Sequence, residues 1–355
     1  MKNFLIIIIG SLLVVTNSNA ESFSTALSKA FKNNSELNAE RENINISEQD
    51  LRITQGNYIQ TVTLSGSKNQ ENTDKLTNQS GGNATINDVD PFTRSISISQ
   101  TLIDFGRGAE LSKSRIGLDL AKVKLLKKEQ EILFKTTEAY TGLVLANEKL
   151  KINKDNVELL SRQVETDQIR VERGQITLSD VSQSESSLAE AQAKLIQAEN
   201  ELLTSKLNYE NIIGSLNDPK SLDKKTIKGY SLPNNLNSAI ELSKKNNPDL
   251  IIAQLEYEQT QKDKAIAKSD LAPTANLSLE RSYTDDLSAT YDEREKDTLK
   301  ATVTWPFYSG GKNLASLNKS SSLETRSRLI LDSVTKKIRQ MLQVLGLAIN
   351  QIKVY

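Results

Sequence analysis

Asp104-Phe105-Gly106 stands in the stretch TLIDFGRG at positions 101–108. In a protein kinase that tripeptide supplies a carboxylate to the magnesium ion that bridges the ATP phosphates. The chemistry also needs a Gly-rich phosphate loop upstream and a His-Arg-Asp loop just before the tripeptide, and the 355 residues contain neither. They contain no histidine and no cysteine at all, which removes thiol nucleophiles, imidazole acid-base catalysis and the usual zinc sites. Carboxylate-only or Ser/Lys chemistry stays formally open, but no spacing supports it. Neither an enzyme nor a cofactor is expected, and the tripeptide calls for a backbone explanation instead.

The composition points the same way. Basic and acidic side chains balance at 45 each, so nothing marks a nucleic-acid partner. Aromatics make up only 5%, and a chain rich in Leu, Ala, Glu, Lys, Gln and Ser suits long helices better than a compact catalytic core. At the N-terminus Lys2, the apolar run Phe4 to Val15 and the small residues Ser18 and Ala20 form an export signal over residues 1–20. Its apolar core is too short for a transmembrane helix.

The elements that position the tripeptide come in two copies. ALSKAFKNNSEL (Ala26 to Leu37) recurs 213 residues on as AIELSKKNNPDL (Ala239 to Leu250). Past a loop eight residues shorter in the second copy the offset becomes 205, which lays SISISQTLIDFGRG over KATVTWPFYSGGKN. Asp104 to Arg107 then correspond to Ser309 to Lys312: Asp and Phe are not kept, but Gly followed by a basic residue is. Gly106, Arg107, Gly310, Gly311 and Lys312 thus read as tight strand-to-helix turns, in which glycine permits unusual backbone angles. The repeats span residues 21–214 and 236–355, joined by a linker at 215–235.

Each copy reads helix, strand, long loop, strand, Gly turn, long helix. Strand alternation places Val62, Leu64, Ile96, Ile98, Ala275, Leu277, Leu279, Ala301, Val303, Trp305 and Phe307 on apolar faces and mainly Ser, Thr, Asn and Lys opposite them. Periodicity alone does not separate a soluble sandwich from a membrane barrel. The stretches Lys68 to Pro91 and Tyr283 to Asp297 read as exposed, mobile loops. Heptad rows Leu111, Leu118, Leu125, Ile132, Ala139, Ala146 and Leu143, Leu150, Val157, Val164, Val171 predict a coiled-coil helix over Arg107 to Glu172, about 100 Å long at 1.5 Å per residue. A return helix carries Val181, Leu188, Leu195, Leu202, Tyr209 beside the small-residue row Ser184, Ala191, Ala198, Ser205. It runs to about Gly214 from an N-cap at Thr177 or Ser179. The result is an antiparallel hairpin with its tip at Gly174 to Asp180.

An exported, duplicated chain of this kind resembles the TolC-type outer-membrane efflux protein family. The resemblance rests on QTLIDFGRG and WPFYSGGKN at the strand-to-helix junctions, TEAYTGLVLANEKL within the long helix and VERGQITLSDVSQSESSLAEAQ around the tip, in order and nearly throughout the mature chain. It implies a mainly α fold with β: long coiled-coil hairpins plus four amphipathic strands, contributed by each subunit of a homotrimer to one 12-stranded outer-membrane β-barrel facing lipid. It further implies a helical tunnel in the periplasm. The tunnel would dock a periplasmic adaptor and an inner-membrane pump or ABC transporter, in efflux or type I secretion.

The resemblance makes Gly174, Thr177, Leu178, Ser179, Asp180 and Val181 an adaptor-docking tip, and Glu165 or Asp167 a tunnel constriction. A simple hairpin cap and solvated helix charge are the respective alternatives. An aromatic often found shortly before the turn glycine in the family is absent, with Val171 in that region. Carried from Gly174, the 205-residue offset places a second tip near position 379, beyond Tyr355. The second repeat is therefore expected to be incomplete, and the 355-residue chain alone to form little stable trimer. A periplasmic adaptor or a structural coiled coil remains the alternative class.

Overall fold

The computed structural model describes residues 22–70, 76–77, 83–84, 90–216, 222, 233, 235–288 and 291–352. The export signal and nearly all of the linker lie outside them. In chain order the elements are α1 (Phe23–Asn33), α2 (Ser35–Gly56), β1 (Thr61–Lys68), the two-residue strands β2 (Leu76–Thr77) and β3 (Asn83–Ala84), β4 (Phe92–Ile103), α3 (Arg107–Glu172), α4 (Leu178–Ile212), α5 (Leu236–Asn246), α6 (Pro248–Ser269), β5 (Thr274–Ser288), β6 (Tyr291–Thr304) and α7 (Lys312–Ile352). The start of α1, α2 and β1 recurs 213 residues on as the start of α5, α6 and β5, and the start of α3 recurs 205 residues on as that of α7.

The capping chemistry is duplicated with the elements. Asn34 Oδ1 accepts from the Leu37 N–H at 3.1 Å, and Asn247 Oδ1 from the Leu250 N–H at 3.2 Å. Each asparagine also closes the preceding helix through its own backbone N–H, to the Ala30 and Ser243 carbonyls. One residue type thereby stops one helix and starts the next. Leu37 and Leu250, three residues further on, are both buried.

Two compact units cut across these repeats: residues 1–39 with 128–231, and residues 40–127 with 232–355. Helices α2 and α3 each begin in one and end in the other. In the first unit α1 packs Ala26 and Ala30 inward, Phe23 meets the Tyr140 ring edge-on at 5.3 Å, and the Tyr209 ring lies 6.5 Å from that of Tyr140. Lys128 closes the α2 corner on Glu36 at 2.6 Å. In the second unit α6 is tied to α3 by Lys113–Asp263 (2.6 Å) and Lys127–Asp249 (2.7 Å), and to α7 by Lys264–Glu324 (2.8 Å).

The second unit also holds an antiparallel sheet of order β1-β4-β5-β6. Its register follows the repeat: Thr61 pairs Ser99 and Thr274 pairs Thr304, the same pair displaced by the two offsets. Ile98 pairs both Val62 and Leu279, and Leu279 pairs Leu299, so one apolar row crosses all four strands. The opposite face of β1 and β4 is entirely Ser and Thr as far as Thr101, where a bulge leaves Leu102 unpaired.

Two strand expectations are corrected. Tyr283 to Asp297 is not a loop throughout: β5 reaches Ser288 and β6 begins at Tyr291, with polar side chains paired across the ladder. Arg281 bonds Glu295 and lies 3.8 Å from Asp297, and the Arg94 guanidinium sits 4.4 Å over the Tyr283 ring. Trp305 and Phe307 are not in a strand. Pro306 has no N–H for a ladder, and the Phe307 N–H turns back onto the Trp305 carbonyl at 2.9 Å. Both aromatics stay outward, Trp305 61% and Phe307 85% exposed, with the indole N–H on the Leu271 carbonyl at 3.1 Å.

The register puts Leu279 in the central apolar row, two rows from Val303. Arginine on a lipid-facing strand position costs about 2–4 kcal/mol at mid-bilayer and less towards the interface. Leu279→Arg should therefore remove heat-modifiable oligomers from the outer-membrane fraction and Val303→Arg should reduce them, while Ser278→Arg on the opposite face retains them. Equal abundance for Leu279→Arg and Ser278→Arg would contradict a lipid contact for the apolar face.

Candidate functional site

The opening tripeptide builds a turn. Asp104 Oδ1 accepts from the Gly106 N–H at 2.8 Å, bending the strand end into the first turn of α3. Gly106 has no positive φ, which corrects the expectation, and is favoured instead by the close approach of the Ser269 side chain. A Cβ there would stand 2.5 Å from Ser269 Oγ, whereas the positive-φ glycines of the paired turn are Gly310 (62°) and Gly311 (79°). In that second turn Ser309, the counterpart of Asp104, accepts from the Asn313 N–H at 3.4 Å. Arg107 places its guanidinium 5.3 Å over the Tyr58 ring. Lys312 opens α7 with its N–H on the Ser309 carbonyl.

The hairpin seam follows the heptad rows. Val164, Asp167, Val181, Ala191, Ala198 and Tyr209 are buried where α3 and α4 meet, and the small residues at 191 and 198 admit close approach of the two backbones. The tip closes α3 with two hydrogen bonds, Gly174 N–H to the Val171 carbonyl (2.8 Å) and Gln175 N–H to the Arg170 carbonyl (2.9 Å). This is the Schellman arrangement, in which the residue at Gly174 must take a left-handed conformation. Its φ is 70° and no atom lies within 4 Å of a would-be Cβ. Backbone conformation alone therefore selects glycine there.

Thr177 is the N-cap of α4, which decides between the two expected candidates. The bonding runs towards Asp180, whose Oδ2 accepts from both the Thr177 N–H and the Thr177 hydroxyl, each at 2.8 Å. Of the six tip residues Val181 is buried in the seam and Asp180 is engaged in the cap, while Ser179 is exposed and Leu178 is 75% exposed.

The two constriction candidates separate. Glu165 is exposed on α3. Asp167 is only 5% exposed, and its Oδ2 accepts from Ser184 Oγ on α4 at 2.6 Å and from Gln163 Nε2 at 2.8 Å. These bonds, Ser184 foremost and Gln163 second, hold the Asp167 carboxyl below its ordinary value, with Arg170 at 3.7 Å adding to them. Asp180 is lowered by the Thr177 backbone N–H first and the Thr177 hydroxyl second. The signal in the sequence that places Asp167 towards the seam is its position on the heptad row Ala146, Asn153, Leu160, seven residues beyond Leu160.

This architecture is that of an outer-membrane efflux channel subunit. The profile of the outer membrane efflux protein family matches residues 26–215, and the chain belongs to that family. The outer membrane efflux protein BepC of Brucella suis is 23% identical over 337 residues, covering 94% of this chain and 71% of BepC. Among solved structures, the Campylobacter jejuni outer membrane channel CmeC superposes with a TM-score of 0.78 at 15% identity, over 90% of this chain and 70% of CmeC. VceC of Vibrio cholerae gives 0.72 at 15% identity, over 93% and 81%. The family is one of transport channels and not of enzymes, and it places the chain in the outer membrane with a periplasmic helical tunnel.

The two carboxyls predict a pH response. A group whose folded pKa is depressed contributes stability at pH above its unfolded value, about 3.9 for aspartate, and loses it as pH falls through the folded value. Corrected for intrinsic rates, amide exchange over residues 175–184 should be constant from about pH 7 to 5 and accelerate below about pH 4. Asp167→Ala should raise it at neutral pH by leaving Ser184 without its acceptor. Unchanged exchange in Asp167→Ala would show that Asp167 does not hold the seam.

Proposed function

We propose that three copies of this chain close a 12-stranded barrel, and that the hairpin tip docks a periplasmic adaptor joined to an inner-membrane pump or ABC transporter, exporting small molecules or proteins. The observation that carries the reading is the sheet: its apolar face bears one row through all four strands, and among the described residues β1 and β6 end it without a partner along their outer edges. Unpaired strand edges are not tolerated in hydrocarbon, so β6 of one copy must meet β1 of the next.

The repeat supplies the register of that closure. Displacing the β4–β5 pair Ser99–Ser278 by the two offsets gives Thr304 against Ser65 of the neighbouring copy, polar face to polar face. Displacing Ile98–Leu279 gives Val303 against Gly66.

At the tip, Leu178 and Ser179 form the docking surface, and Gly174, Thr177, Asp180 and Val181 hold it in shape. Glu165 is the residue that lines the tunnel constriction, Asp167 being engaged across the seam. Leu178→Glu with Ser179→Arg should leave oligomer abundance unchanged while abolishing adaptor cross-linking and export at matched abundance. If export falls only as far as oligomer abundance falls, the tip is a hairpin turn alone and the docking role is lost.

A further inference from the structure

The charged residues of β6 are sorted by strand parity. Between Glu293 and Thr304, the acids Glu293, Glu295 and Asp297 share a face with Leu299 and Val303, whereas Arg294, Lys296 and Lys300 share the opposite face with Thr302. On the acid-bearing face the balancing charge comes across the ladder, from Arg281 on Glu295 and Asp297. On the other face the nearest acid is Glu280, in register with Thr298 and diagonal to both lysines. Among the described residues none of Arg294, Lys296, Lys300 and Glu280 enters an ion pair. Over the regular ladder the neighbouring strands add hydroxyls and the Asn276 amide to this face, which leaves three basic side chains against Glu280 per copy, with Asp286 beyond the register shift near the far end of β5.

We infer that the barrel lumen is an anion-favouring passage, set by Arg294, Lys296 and Lys300. The inference rests on the reading that three copies close the barrel with this face inward. Twelve strands about 4.8 Å apart and tilted about 40° make a ring about 24 Å across between backbones, and narrower between side chains. The Debye length at physiological salt is about 8 Å, so the potential of the wall reaches the axis, and the low-dielectric wall focuses it further. Anions are concentrated at the level of Lys300 and Lys296 and small cations are depleted. The exported solute that suits this lumen carries a negative group, such as a carboxylate or sulfonate.

The absence of cysteine makes the local potential measurable without background labelling. Ser278→Cys places one thiol on the inward face, in register with Lys300. It is titrated from outside the cell with an anionic (sulfonatoethyl) and a cationic (trimethylammonioethyl) methanethiosulfonate, each rate divided by that reagent's rate with a small thiol in solution. The anionic reagent should be favoured several-fold at Ser278→Cys. Lys296→Gln with Lys300→Gln should reduce that preference, and Lys296→Glu with Lys300→Glu should invert it, the milder pair serving if the reversed pair assembles poorly. A preference for the cationic reagent, or one that both pairs leave unchanged, would overturn the inference. Leu279→Cys, one residue along on the apolar face, should react with neither reagent; if it reacts as fast as Ser278→Cys, the barrel reading itself fails.

Discussion

Backbone hydrogen bonding governs this molecule. A bilayer core offers no water to a free N–H or C=O, each of which costs several kcal/mol when left unpaired there. Inside the sheet the requirement is met by register, strand after strand, with an apolar row on one face and mainly hydroxyl and basic side chains on the other. At the outer edges of β1 and β6 one chain cannot meet it. Assembly with further copies is thus a condition for the sheet to exist in lipid at all. On β6 the apolar face runs through Leu299, Ala301 and Val303 and is followed by exposed Trp305, Phe307 and Tyr308 at the helix end.

Duplication makes that closure possible with one set of geometrical rules. Because the β1–β4 and β5–β6 hairpins share a register and the junctions Gly106 and Gly310–Gly311 follow at equal spacing, every strand pair can hand over to helices at the same level. The chemistry of each junction differs while its function is kept. One uses an aspartate bonded to the Gly106 backbone beneath Ser269, and the other uses two left-handed glycines and a serine. Equivalent backbone paths are reached from different side chains, which is why the tripeptide that resembles a magnesium site has no counterpart in the second copy.

Much of this was legible from period and offset. The bounds of α3 follow from the proline-free heptad run, the tip from Gly174 and the helix start at Thr177, and the four amphipathic strands from alternation. Contributions that depend on a partner in space were not legible. The polar ends of β5 and β6 lack an apolar period, since they are held by cross-strand pairs such as Arg281 with Glu295. The strand end at Thr304 depends on Pro306 and not on hydrophobicity. Asp167 and Glu165 are both acidic helix residues, and beyond the heptad position of Asp167 it is the approach of Ser184 from α4 that tells them apart. Gly106 carries no mark in the sequence that its need is proximity to Ser269.

Everything above depends on closure between copies in the register that the repeat dictates. Residues paired across an antiparallel ladder have Cα atoms about 4.5–5.5 Å apart, within the span of a disulfide, and the chain has no cysteine of its own. Oxidation of Ser65→Cys with Thr304→Cys in outer membranes should link three chains into a covalent ring resistant to boiling in SDS, while Ser65→Cys with Val303→Cys, whose side chains lie on opposite faces, should link few. Chains that remain monomeric on oxidation, or that link equally in both variants, would contradict closure of β6 on a neighbouring β1 in this register.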